Sequence, residues 1–125
     1  MKLHCILGSY AIVRLKADEA IPTWAFSSGL FSSITRTREE LSIVCDQSFV
    51  PSECLFESER RLVKVDGPLD FALTGILSTL LHPLAAAKIS VFTVSTFDTD
   101  YILIHQEKLT AALAIWKSDG HQIIA

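Results

Sequence analysis

The chain is poor in the residues that make small folds rigid by covalent means. Its 125 residues include 3 cysteines, 4 prolines, 5 glycines and 1 methionine. Cys5, Cys45 and Cys54 are odd in number and far apart, which argues against a disulfide framework and for free thiols in a reducing compartment. The four histidines are scattered, with no HxH or CxxC spacing, so no metal ligand set is legible. Positive charge is in deficit: 11 Lys and Arg face 14 Asp and Glu, a net charge of −3. Nothing here attracts a nucleic-acid backbone over a broad surface. Long apolar runs are absent too. The longest uncharged stretch, Phe71–Ala87, contains Gly75, His82 and Pro83 and falls short of the roughly 20 apolar residues a membrane-spanning helix needs. The N-terminus, MKLHCILGSYAIVRL, lacks a small-x-small cleavage pattern and reads as strand, not leader.

What remains is an apolar chain, 50% hydrophobic with mean hydropathy +0.38, sized for one domain or two small modules sharing a core. Residues 61–125 are the clearer half. Arg61–Val65 alternates as a strand. In DGPLDF, Gly67 suits a helix N-cap, Pro68 the first helical position and Asp70 the first turn. Leu69, Leu73, Ile76, Leu77, Leu80 and Leu84 follow at helical spacing, and His82-Pro83 ends the regular part. Ile89–Val94 and Asp100–His105 read as strands. Glu107–Lys117 reads as a helix with Leu109, Ala112, Leu113 and Trp116 on one face, stopped at Gly120. HQIIA gives a last strand. The order β-α-β-β-α-β is the ferredoxin-like arrangement of an α+β fold.

The other half repeats this alternation with less helix. Gly8-Ser9 predicts a hairpin between LHCIL and YAIVRL. Leu30–Thr35 and ELSIVCD read as strands. Thr37 to Glu40 has capping-box spacing and predicts a short helical turn. Asp46–Arg61 is polar and sets a soft boundary, giving modules at 1–58 and 59–125. Both faces of VFTV and YILI are apolar. The side away from the helices therefore needs cover, from the N-terminal half or from another subunit.

A ferredoxin-like fold names no function. RNA binding needs a basic surround for its strand aromatics, and the chain is acidic. Acylphosphatase chemistry needs a basic phosphate cradle, whereas DGPLDF carries two aspartates. Ser95, Asp98 and His105 come with no nucleophile elbow or oxyanion motif. Amino-acid binding fits better. A helix start at Gly67–Phe71 offers unpaired N–H groups to a carboxylate, unless Asp70 caps them itself. Asp98 or Asp100 offers a carboxylate to an ammonium group, unless both only serve the turn. Phe97 is either a lid or an exposed turn aromatic.

The stretches DGPLDFALTGIL and LAAAKISVFTVSTFDTDYILIHQEKL resemble the ACT domain family, in particular its bacterial subgroup related to the CASTOR-type arginine sensors. The signature runs Lys88-Ile89-Ser90-Val91-Phe92, then Ser95-Thr96-Phe97-Asp98-Thr99-Asp100-Tyr101-Ile102-Leu103-Ile104, with Lys88 where Gly is usual. Phe31–Pro51 also looks like this subgroup. The resemblance implies two ACT-like modules, the C-terminal one complete, and a small ligand, usually an amino acid, bound where modules meet. The implied ligand-binding residues are Gly67, Pro68, Leu69, Asp70, Phe71, Val94, Ser95, Thr96, Asp98, Thr99 and Asp100, with Asp100 the candidate acidic contact. It further implies a cytoplasmic regulatory dimer with no catalytic activity, cofactor, metal, nucleic acid or membrane partner. The alternative is an ACT-fold dimerisation or interaction scaffold that has lost its ligand.

Overall fold

Alternation and helical spacing translate into seven strands and two α-helices among the residues described by the computed structural model, which are 1–26, 29–66 and 74–125. The strands are β1 (Lys2–Leu15), β2 (Ser33–Arg36), β3 (Leu41–Asp46), β4 (Leu55–Val65), β5 (Val91–Ser95), β6 (Asp100–His105) and β7 (Gln122–Ile124). The helices are α1 (Ile76–Ala86) and α2 (Gln106–Ser118). The chain divides into two compact units. One comprises Met1–Leu7 with Arg61–Ala125, and the other Gly8–Arg60.

The first unit has the expected order β4-α1-β5-β6-α2-β7, a ferredoxin-like α+β fold. Its strands lie side by side as β7, β1, β4, β6, β5, so the start of β1 is an additional strand between β7 and β4. Strand β7 pairs with β1 in parallel, Lys2 beside Gln122 and His4 beside Ile124. Strands β5 and β6 form an antiparallel hairpin with Ser95 opposite Asp100. The core gathers Leu3, Val63, Val65, Leu80, Leu84, Ile102, Ile104, Ala112 and Trp116, all fully buried. The alternating partners Leu62 and Leu103 point to the opposite face and are buried as well.

In the second unit, β3 pairs antiparallel with β1 from Tyr10–Asp46 to Leu15–Leu41, and with β2 on its other side. Its core is Ala11, Val13, Ala25, Leu41, Ile43 and Cys45. Thr37 does make capping-type bonds, its Oγ1 accepting from the N–H groups of Glu39 and Glu40 at 3.1 Å. They close the β2–β3 hairpin, however, and start no helix.

Two more local expectations change. Gly8-Ser9 makes no hairpin: β1 runs straight through, with Gly8 at φ +109. Helix α1 continues through Pro83 to Ala86, because Leu84 is a core residue one position further on. It begins at Ile76 behind Gly75, which sits in the left-handed region as N-cap. The expected start at Gly67 and Pro68, and Leu69 and Leu73 after it, lie outside the described residues.

Helix α1 closes with the N–H of Ile89 donating to the Leu84 carbonyl and that of Lys88 to Ala85, each at 2.9 Å. This ending needs a left-handed residue, and Lys88 fills it at φ 61. A side chain there costs about 1–2 kcal/mol relative to glycine, part of which is offset by the larger unfolded-state entropy of glycine. Lys88→Gly should therefore stabilise the protein by roughly 0.5–1 kcal/mol, read as a higher melting temperature; an unchanged or lower one would contradict the assignment of strain.

Candidate functional site

The β5–β6 loop is built by hydroxyl groups. The Thr96 N–H donates to the Thr99 carbonyl at 2.8 Å. Thr96 Oγ1 donates to the same carbonyl at 3.0 Å and accepts from the Thr99 N–H at 3.3 Å. These bonds close the four-residue turn, and Asp98 has no part in them. Its carboxylate is exposed and takes no hydrogen bond among the described residues. Phe97, at the tip, is 81% exposed.

Asp100 is half-buried and receives the Ser95 hydroxyl at 2.6 Å. Residues paired across a hairpin share a face. Ser95 and Asp100 thus lie on the face of Ile102 and Ile104, which carries the core. The bond fixes one oxygen of Asp100 and leaves the other available. Val94, half-buried, is on the opposite face beside Tyr101.

Thr99 connects this loop to the second half of the expected site. It is the one buried polar residue among those described, 4% exposed, and its Oγ1 donates to the Val65 carbonyl at 2.6 Å. Val65 ends β4. Two residues later the chain enters Gly67, Pro68, Leu69, Asp70 and Phe71, which lie outside the described residues. The near end of that segment is held twice more. The Asp66 N–H donates to the Lys2 carbonyl at 2.9 Å, and Asp66 Oδ1 pairs with His4 Nε2 at 3.2 Å. Of the residues expected at the site, the structure thus joins Ser95 to Asp100, Thr96 to Thr99, and Thr99 to the strand end before Gly67. The sequence reading missed Val65, Asp66 and His4. His4 and Asp66 are 62 positions apart, and no local spacing signals such a pair.

Reactive groups are scarce. Burial pushes the Cys45 thiol up to about 11, with Asp46 adding to it. Cys54 is raised by burial and then by Glu53 and Glu19. Neither is an activated nucleophile, which would need a depressed value. Among the described residues no three His, Cys, Asp or Glu side chains converge to hold a metal ion. No described helix is long and apolar enough to cross a membrane.

A family model described as the ACT domain matches residues 56–117, and one described as an N-terminal domain matches residues 8–53. The chain is similar to the cytosolic arginine sensor for mTORC1 subunit 1 of Bos taurus and of Homo sapiens, 33% identical over 97 residues in each case. That match takes in 71% of this chain and 30% of each sensor. The chain therefore spans less than a third of these relatives. A crystal structure of a protein from Agrobacterium tumefaciens superimposes with a TM-score of 0.92 at 41% identity, over 98% of this chain and 91% of that one. Aspartokinase alpha and beta subunits share the fold, with a TM-score of 0.66 at 13% identity over 96% of this chain and 98% of that one.

Proposed function

We propose that this chain, which belongs to the ACT domain family, is a regulatory module that binds a small molecule, an amino acid, and performs no catalysis. The observation that carries the reading is the Thr99–Val65 bond. It ties the loop bearing Asp100 to the strand end from which residues 67–73 depart, so the two segments implicated by the resemblance share an anchor. Asp100, oriented by Ser95, is the acceptor for the ligand's ammonium group. The relatives named as cytosolic arginine sensors support an amino acid as the ligand and the cytoplasm as the location. Ligand binding would bias the geometry between modules, in a dimer of this chain, for a partner to read.

Calorimetry against the twenty amino acids should give heat with at least one of them, and a matching thermal shift. Neither signal at millimolar ligand would overturn the reading. Asp100→Ala should weaken the interaction about tenfold or more, the loss of one charge-assisted hydrogen bond, while Asp98→Ala should change it little. Retained affinity in Asp100→Ala would remove that residue from the site.

One observation favours a scaffold that has lost its ligand: the Asp100 carboxylate already has an internal donor in Ser95. Under that reading the protein is a dimer that responds to no amino acid, and a monomer in size-exclusion chromatography would sink it.

A further inference from the structure

The arginines of this chain mostly find acceptors: Arg14 and Arg36 donate to backbone carbonyls. Arg60 follows this pattern: its Nη1 bonds the Ser58 carbonyl at 2.5 Å and its Nη2 lies 3.8 Å from Glu57. The next residue does not. The Arg61 side chain forms no ion pair and no hydrogen bond among the described residues, and its Nε is sealed from solvent with nothing to donate to. Arg61 as a whole is only half-buried. Nε is the one nitrogen of its fork that is sealed without a partner, so the Nη atoms are the ones left to meet a ligand.

A guanidinium cannot shed its proton to escape this situation. A buried N–H without an acceptor costs about 1–3 kcal/mol, and a partly desolvated charge without a counter-charge costs more. Water can solvate the Nη atoms but supplies no opposing charge. An oxyanion supplies both, because two of its oxygens match the spacing of the guanidinium fork. We propose that Arg61 anchors an oxyanion-binding site on the first unit, one that takes a phosphate or carboxylate group at the Nη edge of its guanidinium. This site is separate from the Asp100 loop. Arg61 precedes Asp66 by five residues along β4, about 16 Å at strand rise.

Cys5 supplies a reporter within the same unit. Its thiol is raised by burial, while the positive charges of Arg61 and then Lys117 act in the opposite direction. An anion on Arg61 cancels the larger of those two favourable charges. Thiolate is then harder to form, and Cys5 should react more slowly.

The test is a titration of the intact protein with inorganic phosphate at constant ionic strength, with acetate as a parallel arm. The Arg61 Hε–Nε cross-peak is followed by NMR and the alkylation of Cys5 by peptide mass spectrometry. The expected result is a saturable shift of that cross-peak at millimolar anion, with a fall of about twofold to threefold in the Cys5 rate. Saturation by phosphate alone identifies the source as phosphate, and saturation by both as any oxyanion, carboxylates included. Arg61→Gln should abolish the Cys5 response and Arg61→Lys should keep it in weakened form, while Asp100→Ala should leave both the Cys5 response and the Arg61 cross-peak shift intact. No saturable shift with either anion overturns the proposal. So does a shift that follows protein concentration without added anion, since the acceptor is then an acidic group on a second copy.

Discussion

Trp116→Ala should cost about 3–5 kcal/mol of unfolding free energy, the usual range for deleting a large aromatic from a packed core. Trp116 is fully buried in the last turns of α2, among Leu3, Leu80, Leu84 and Ala112. Its Nε1 also donates to the Leu80 carbonyl of α1 at 2.9 Å, so one side chain both fills the core and joins the two helices. Since domains of this size carry about 5–15 kcal/mol in total, the alanine variant should be marginal at room temperature. Trp116→Phe separates the two roles: it keeps most of the packing, removes the bond and should cost about 1–3 kcal/mol. Urea unfolding of both variants is the measurement. A phenylalanine variant with the wild-type midpoint would mean that the hydrogen bond adds nothing net.

Thr99→Val tests the anchor of the proposed site. Valine has nearly the shape of threonine, so little changes except the hydroxyl. Its loss leaves the Val65 carbonyl without the 2.6 Å donor and removes the side-chain hydrogen bond that ties the β5–β6 loop to the end of β4. The stability cost should be about 1–3 kcal/mol. If even 1.4 kcal/mol of that ordering is needed for ligand binding, affinity falls about tenfold. Thr99→Ser keeps the hydroxyl and should restore most of both quantities. Full affinity in Thr99→Val would show that the loop reaches its ligand-bound position without the anchor.

These two residues also mark how far local sequence carries. The sequence alone puts Trp116 on the inner face of its helix, since Leu109, Ala112, Leu113 and Trp116 recur at helical spacing and Gly120 stops the run. The structure places α2 at Gln106–Ser118 with Asp119 as its cap and Gly120 at φ +93. Strand β6 is likewise the stretch Asp100–His105 that its apolar run indicated. Thr99 is different. It reads as a turn residue, and it is one, but its partner lies 34 positions away and no local pattern records that.

Glycine and proline misled for one shared reason, that tertiary packing overrides a local preference of a few kcal/mol or less. Gly8 lies within a strand without ending it, and Pro83 sits inside a helix whose next residue is needed in the core. Strand β4 was hidden at its start by the polar stretch Glu57 to Arg60. There Glu59 takes φ 58, held by Gln47, whose Oε1 accepts from its N–H and whose Nε2 donates to its carboxylate.

The path of β1 has a consequence for synthesis on the ribosome. Gly8–Arg60 is one uninterrupted segment and can fold as soon as it has emerged. The other unit needs both Met1–Leu7 and the much later Gln122–Ile124, because Lys2–His4 pairs with that strand. Residues 1–7 must wait, unpaired on that side, until residues 122–124 have been made. Closing a contact between such distant positions is slow. A nascent-chain pulse-proteolysis series should find residues 8–60 protected well before residues 1–7.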